Sequence, residues 1–212
     1  MARRIFRIDW MIMMSFIALH GMAASAGDFI WIEGERPGSI NLKPDVNGSG
    51  RPNLVSDGKW LTVHLDSGEI EKGLPPEGAL LAYAFNVPKQ GAHAIWGRIG
   101  YEFARSPFDW RLDGGAWSRI GPEDVATDLT ELSFFTEVAW LEFGRKDLAE
   151  GDHSIEIRIL AHKNAKGENE RLLFGLDAIC LTTDEFLPNG KFKPGEEWRE
   201  ARDLGLARPR SR

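Results

Sequence analysis

A single cysteine, two tyrosines and no apolar run long enough to cross a bilayer are the scarcities of this 212-residue chain. With Cys180 alone, no disulfide can form within the chain, so the fold is fastened by other means. Apolar stretches below about 18 residues exclude a membrane-spanning helix. Positive charge is also short: 26 Lys and Arg against 32 Asp and Glu leave a net −6. That balance excludes a general nucleic-acid binder, because neutralising phosphates takes clustered Lys and Arg.

Catalytic signatures are missing too. The chain has no His-Glu-x-x-His, no Gly-x-Ser-x-Gly, no phosphate-binding glycine loop closed by Lys-Ser or Lys-Thr, and no Cys-x-x-Cys. His64, His93, His153 and His162 are scattered, none at a metal-ligand spacing from another. A glycosidase needs two carboxylates across a cleft; Glu137 and Glu142 beside Trp140 are the least bad pair, but solvated charges at a strand edge account for them far better. No enzyme is expected.

What is abundant is Trp and Gly, eight and 23 residues, set among short apolar runs. Residues 1–26 read as a signal peptide: Arg3, Arg4 and Arg7, then an apolar stretch from Trp10 to Ala24, then Ala24-Ser25-Ala26 for cleavage. The protein is therefore expected to be secreted or periplasmic. Asn47-Gly48-Ser49 matches a glycosylation acceptor.

Short strands follow, divided by turn signals. Phe29 to Glu33, Trp60 to Leu65, Ala79 to Val87, Ala94 to Ile99, Phe108 to Leu112, Trp117 to Ile120, Trp140 to Phe143, His153 to Ile159 and Leu172 to Leu181 are the candidates. Asp113-Gly114-Gly115 marks a hairpin. Residues 36–59 read as a long loop, and Pro122 to Leu132 as a helical turn or two. This pattern predicts an all-β protein, an antiparallel β-sandwich or jelly roll spanning 27–187, followed by a charged, Pro- and Gly-containing tail or linker over 188–212. Cys180, within an apolar strand, is expected to be a buried thiol.

In their order and spacing, four features resemble the galactose-binding-like carbohydrate-binding modules of families 6 and 35. These are Glu33-Gly34-Glu35 at the end of the first strand; Val87-Pro88 and Gly91 followed by Ile95-Trp96-Gly97-Arg98; Leu112-Asp113-Gly114-Gly115 with Trp117; and Leu148 to Ile157 followed by Leu176-Asp177-Ala178-Ile179. The resemblance implies a structural calcium ion between the first and last strands, with Glu33, Glu35 and Asp177 at the side-chain ligand positions. Calcium takes hard oxygen ligands, and an Asp inside an apolar strand is costly unless something pairs with it. A polar sheet edge, with Asp177 hydrogen-bonded to backbone, is the alternative.

The resemblance further implies a non-catalytic module that recognises a polysaccharide or glycoconjugate, working alone or beside a glycoside hydrolase or a cell-surface protein. Sugars pack C–H faces on aromatic rings and need a few directed hydrogen bonds. Tyr101, Arg105, Trp117, Trp140 and Asn169 are the candidates, while Trp31, Trp96 and Trp110 are assigned to the core. Gly175 stands where the families carry a sugar-contacting Asn. That departure leaves open a protein-interaction domain with a degenerate sugar site. A small secreted hydrolase or lyase is the third alternative.

Overall fold

The computed structural model describes residues 28–46, 50–101 and 106–196. The cleavage signal, the Asn47-Gly48-Ser49 acceptor, Arg105 and the chain beyond 196 lie outside them. Eleven strands are described: β1 (Phe29–Glu33), β2 (Ser39–Ile40), β3 (Leu61–Leu65), β4 (Ala79–Val87), β5 (Gly91–Tyr101), β6 (Phe108–Leu112), β7 (Ser118–Ile120), β8 (Thr127–Ser133), β9 (Thr136–Leu148), β10 (Gly151–Ile159) and β11 (Leu172–Thr182). All pair antiparallel in two sheets. One runs β1-β11-β5-β9-β8, with β3 also on β11; the other runs β2-β4-β10-β6-β7.

Period-two alternation builds the space between the sheets. On β10, Ile155, Ile157 and Ile159 are fully buried, and Glu156 and Arg158 face outward. They meet Leu81, Tyr83 and Phe85 of β4, Phe108 and Trp110 of β6, and Ile95, Ile99, Phe143, Ile179 and Leu181 of the first sheet. Each aliphatic side chain so buried contributes about 1.5–3 kcal/mol by transfer out of water. The hairpin between β6 and β7 turns at Asp113 and Gly114, both at positive φ (50° and 67°). Those values match the twist of adjacent strands, and Gly adopts them without steric cost.

The first sheet is also covered on its outer face. Trp60 and Val55 pack there against Leu132 and Val138. Farther along, Trp140, Ala178 and Cys180 pack with Phe186, flanked by Phe29, Trp31 and Trp96. Cys180 is a buried free thiol, and burial pushes its pKa up to about 12. Trp110 lies in the central core, whereas Trp31 and Trp96 are half-buried in this outer layer. The residues assigned to the start of the tail are anchored: the Trp140 indole N–H donates to the Gly190 carbonyl at 2.8 Å, and the Gly190 N–H donates to Asp128.

Residues 127–133 correct the expected helical turn. They form edge strand β8, whose register on β9 slips twice, so no clean alternation survives in the sequence. The long loop likewise contains β2, two 3-10 turns (Pro52–Leu54 and Ser56–Gly58) and a bridge from Asp45 to Thr62.

Candidate functional site

Where β3 and the start of β11 meet the β8–β9 hairpin, the outer face of the first sheet opens into a groove of about 710 Å³. Lys43, Pro44 and Asp45 form one wall, Thr62 and His64 of β3 and Arg171 and Leu173 beside and on β11 form the base, and Phe135 and Thr136 of the hairpin form the other wall. Phe135 is 64% exposed and sits at φ +60°, a backbone region bulky side chains avoid. Its neighbour Phe134 is 81% exposed, with the two rings 3.9 Å apart. An apolar ring beside two cations, a carboxylate and hydroxyls is the combination a sugar face requires.

Gly175 explains the floor. A Cβ added there would lie only 2.2 Å from Cζ3 of Trp60. The position matching the families' Asn is therefore occupied from above by an indole, and Trp60 also lines the groove. A second hollow continues past Arg171 and Leu173 and is lined by Ser67, Ser106, His162, Asn164, Asn169 and Glu170, among others. Ser106 fixes this rim to β11: its N–H donates to the Leu173 carbonyl at 2.6 Å, and its hydroxyl accepts from the Leu173 N–H at 2.9 Å.

Of the residues assigned to sugar, Asn169 faces this hollow, and Tyr101 is half-buried at the end of β5, opposite Glu137. Two others lie elsewhere. Trp140 is fully buried in the outer layer, edge-on to Trp31 at 5.6 Å, and presents no face to a ligand. Trp117 is on the other sheet, its ring 4.2 Å from the guanidinium carbons of both Arg111 and Arg158. Those arginines are held by Glu156 and Asp109 respectively. Lys43, His64, Phe135 and Arg171 were not singled out by the sequence. The one available signal was the Phe134-Phe135 pair, two large apolar residues at a turn.

The acids assigned to calcium do not form one ligand set. Among the described residues, no group of three His, Cys, Asp or Glu side chains is placed to hold a metal. Asp177 is the extra residue of a bulge in β11 against β5. The bulge turns its carboxylate onto Arg98, which donates to Oδ2 at 2.6 Å, while the Ser56 N–H donates to Oδ1 at 2.9 Å. Both side chains of this pair are 0% exposed. Burial raises the Asp177 pKa to about 7, against the pull of Arg98. Glu33 accepts from the Trp31 indole at 3.1 Å and lies 3.4 Å from the Lys193 ammonium. Glu35 lies 3.3 Å from Arg36, and burial, with the charge of Glu33 adding to it, raises its pKa. Oε2 of Glu33 and both carboxylate oxygens of Glu35 are buried without a hydrogen bond.

No family model matches the chain, and no curated protein matches it. Among solved structures, it is similar to a family 35 carbohydrate-binding module from Cellvibrio japonicus, at 13% identity over 77% of this chain and 98% of that one, with a TM-score of 0.43. The C-terminal family 6 module of a marine laminarinase from Zobellia galactanivorans is similar at 12% identity over 73% and 99%, with a TM-score of 0.41. A β-(1,4)-mannanase of Podospora anserina that carries a family 35 module is similar at 15% identity and a TM-score of 0.43, over 81% of this chain but only 31% of that one. Modules of both families that the sequence motifs resemble are thus among the similar structures.

Proposed function

We propose that the protein is a non-catalytic, exported carbohydrate-binding module that takes a polysaccharide or glycoconjugate into the groove beside Phe135. One observation carries this reading: a largely exposed aromatic ring, held at positive φ, forms the wall of a groove whose other sides offer Lys43, Asp45, Thr62, His64 and Arg171. The ring supplies stacking area, and the polar groups supply direction to the hydroxyls. A glycoside hydrolase or a cell-surface protein is its companion in this proposal.

Affinity electrophoresis of the full chain through gels containing single polysaccharides tests it. At least one polysaccharide should retard the parent, and Phe135→Ala should run free in the same gel. Equal retardation of parent and variant would move the site away from the groove. Val125, Leu129 and Phe134, all exposed, favour a second function, protein docking on the β8 side. An absence of retardation across the panel supports that alternative, and release of reducing sugar from the same polysaccharides would instead indicate an enzyme.

A further inference from the structure

The buried centre between β1, β5 and β11 contains three carboxylates, each within reach of a side-chain cation. Arg98 pairs with Asp177 at 2.6 Å, Lys193 lies 3.4 Å from Glu33, and the exposed Arg36 lies 3.3 Å from Glu35 while donating to Asp57. Arg98 does more than pair: the nitrogen that reaches Asp177 also donates to the Leu54 carbonyl at 3.0 Å. A carboxylate oxygen and a backbone carbonyl converging on one point are the donors a hard divalent ion collects. Here they converge on a guanidinium.

We infer that Arg98 stands in the place of a metal ion, so that Asp177 and the Leu54 carbonyl are held by an internal cation instead of a divalent one. The guanidinium joins β5 to the bulge of β11 and to the 3-10 turn ending at Leu54. The Ser56 N–H and the bond from the Gly34 N–H to the Asp177 carbonyl (2.8 Å) add the following turn and the end of β1. Chain ends and loop are thereby tied to the sheet, which accounts for stapling without a disulfide. A divalent ion would have to displace Arg98 from both of its acceptors, leaving a buried guanidinium unpaired.

Removing that guanidinium should uncover the site. In Arg98→Met, Asp177 Oδ2 and the Leu54 carbonyl lose their donor, and the buried, unbonded oxygens of Glu33 and Glu35 remain in the same centre.

Thermal melts of the full chain in EGTA and in calcium chloride test the inference, with terbium luminescence as a direct probe of hard-cation binding. The parent should melt at one temperature in both buffers and fail to sensitise terbium. Arg98→Met should melt lower in EGTA and recover by about 5 °C or more in calcium, since a ligand of the native state alone stabilises it by mass action. Asp177→Asn provides a second variant, expected to be destabilised equally in both buffers. A calcium shift or terbium signal in the parent overturns the inference, and so does a folded Arg98→Met that ignores calcium. Should Arg98→Met not fold, the parent and Asp177→Asn decide the matter alone.

Discussion

His153 and Asp113 close the β6–β7 turn onto β10: Nδ1 of the imidazole donates to Asp113 Oδ2 at 2.7 Å. The other ring nitrogen donates to the Ala149 carbonyl at 2.9 Å, so both ring N–H groups of an imidazolium find acceptors. The bond to Asp113, then that to Ala149, raises the His153 pKa. Burial raises Asp113, but the hydrogen bonds from His153 and the Ser154 N–H outweigh it and hold the carboxyl below its ordinary value.

The stability this pair contributes should therefore depend on pH in both directions. Protonated His153 stabilises fully below its unfolded pKa of about 6.5, and that contribution is lost as pH rises through the raised folded value. Ionised Asp113 stabilises above its unfolded pKa of about 3.9, and that contribution is lost as pH falls through the lowered folded value. The gap in denaturant midpoint between parent and His153→Gln should be widest from about pH 4 to 6.5 and narrow toward pH 9. It should stay under about 1 kcal/mol, because Asp113 is 45% exposed and solvent screens the pair. A gap that is flat across the range would show that the pair's charge contributes nothing.

Gly175→Ala should reshape the floor of the groove. The new methyl would collide with Trp60, which packs with Val55, Leu132 and Val138 and has little room to retreat. Overpacking of this kind costs about 1–3 kcal/mol. Chemical denaturation should report that loss, and affinity electrophoresis should report weakened retardation by whatever glycan retards the parent. An alanine variant with unchanged midpoint and unchanged retardation would mean that Trp60 moves freely and is not a fixed floor.

The two tryptophans placed away from the groove should behave oppositely to one another. Trp140→Ala removes a fully buried side chain and its bond to Gly190, and should cost about 3–5 kcal/mol, as large aromatic truncations do. Trp117→Ala removes a half-buried ring lying over Arg111 and Arg158, each contact worth about 0.5–1 kcal/mol at such a site. Its glycan retardation should equal that of the parent. Loss of retardation in Trp117→Ala, with the melt intact, would place a sugar site on the second sheet.

These assignments show what the sequence could and could not disclose. Strand β10 was legible because Ile155, Ile157 and Ile159 alternate with polar residues, and the hairpin because Asp113-Gly114 admits positive φ. Trp117 and Trp140 were not separable: both neighbour strand residues, and only pairing decides which is covered by Phe186 and Trp31. Arg98 and Asp177 lie 79 residues apart, and a bulge aligns them, so no local pattern signals their pair. The groove was hidden for the same reason. Its wall belongs to the turn of a hairpin whose register slips, and its base to residues 64 and 171, brought together by β3 pairing with β11.

Phe135 tests whether the groove wall was kept for function at a cost to the fold. At φ +60°, any residue with a Cβ carries a penalty of about 1–2 kcal/mol that glycine escapes. Phe135 is 64% exposed, so truncating its ring removes little buried area to offset that penalty. Phe135→Gly should therefore be more stable than Phe135→Ala by about 1 kcal/mol, with the parent close to or below the glycine variant. Both variants should lose retardation by the glycan. A ring held in an unfavourable conformation, contributing little to the core yet needed for binding, is strain retained at a working surface. The comparison needs only denaturant melts of three proteins and one gel. If glycine is no better than alanine at this position, the hairpin relaxes in solution and the strain argument fails. If glycine is better but still binds, the ring is incidental and the sugar site lies away from the groove.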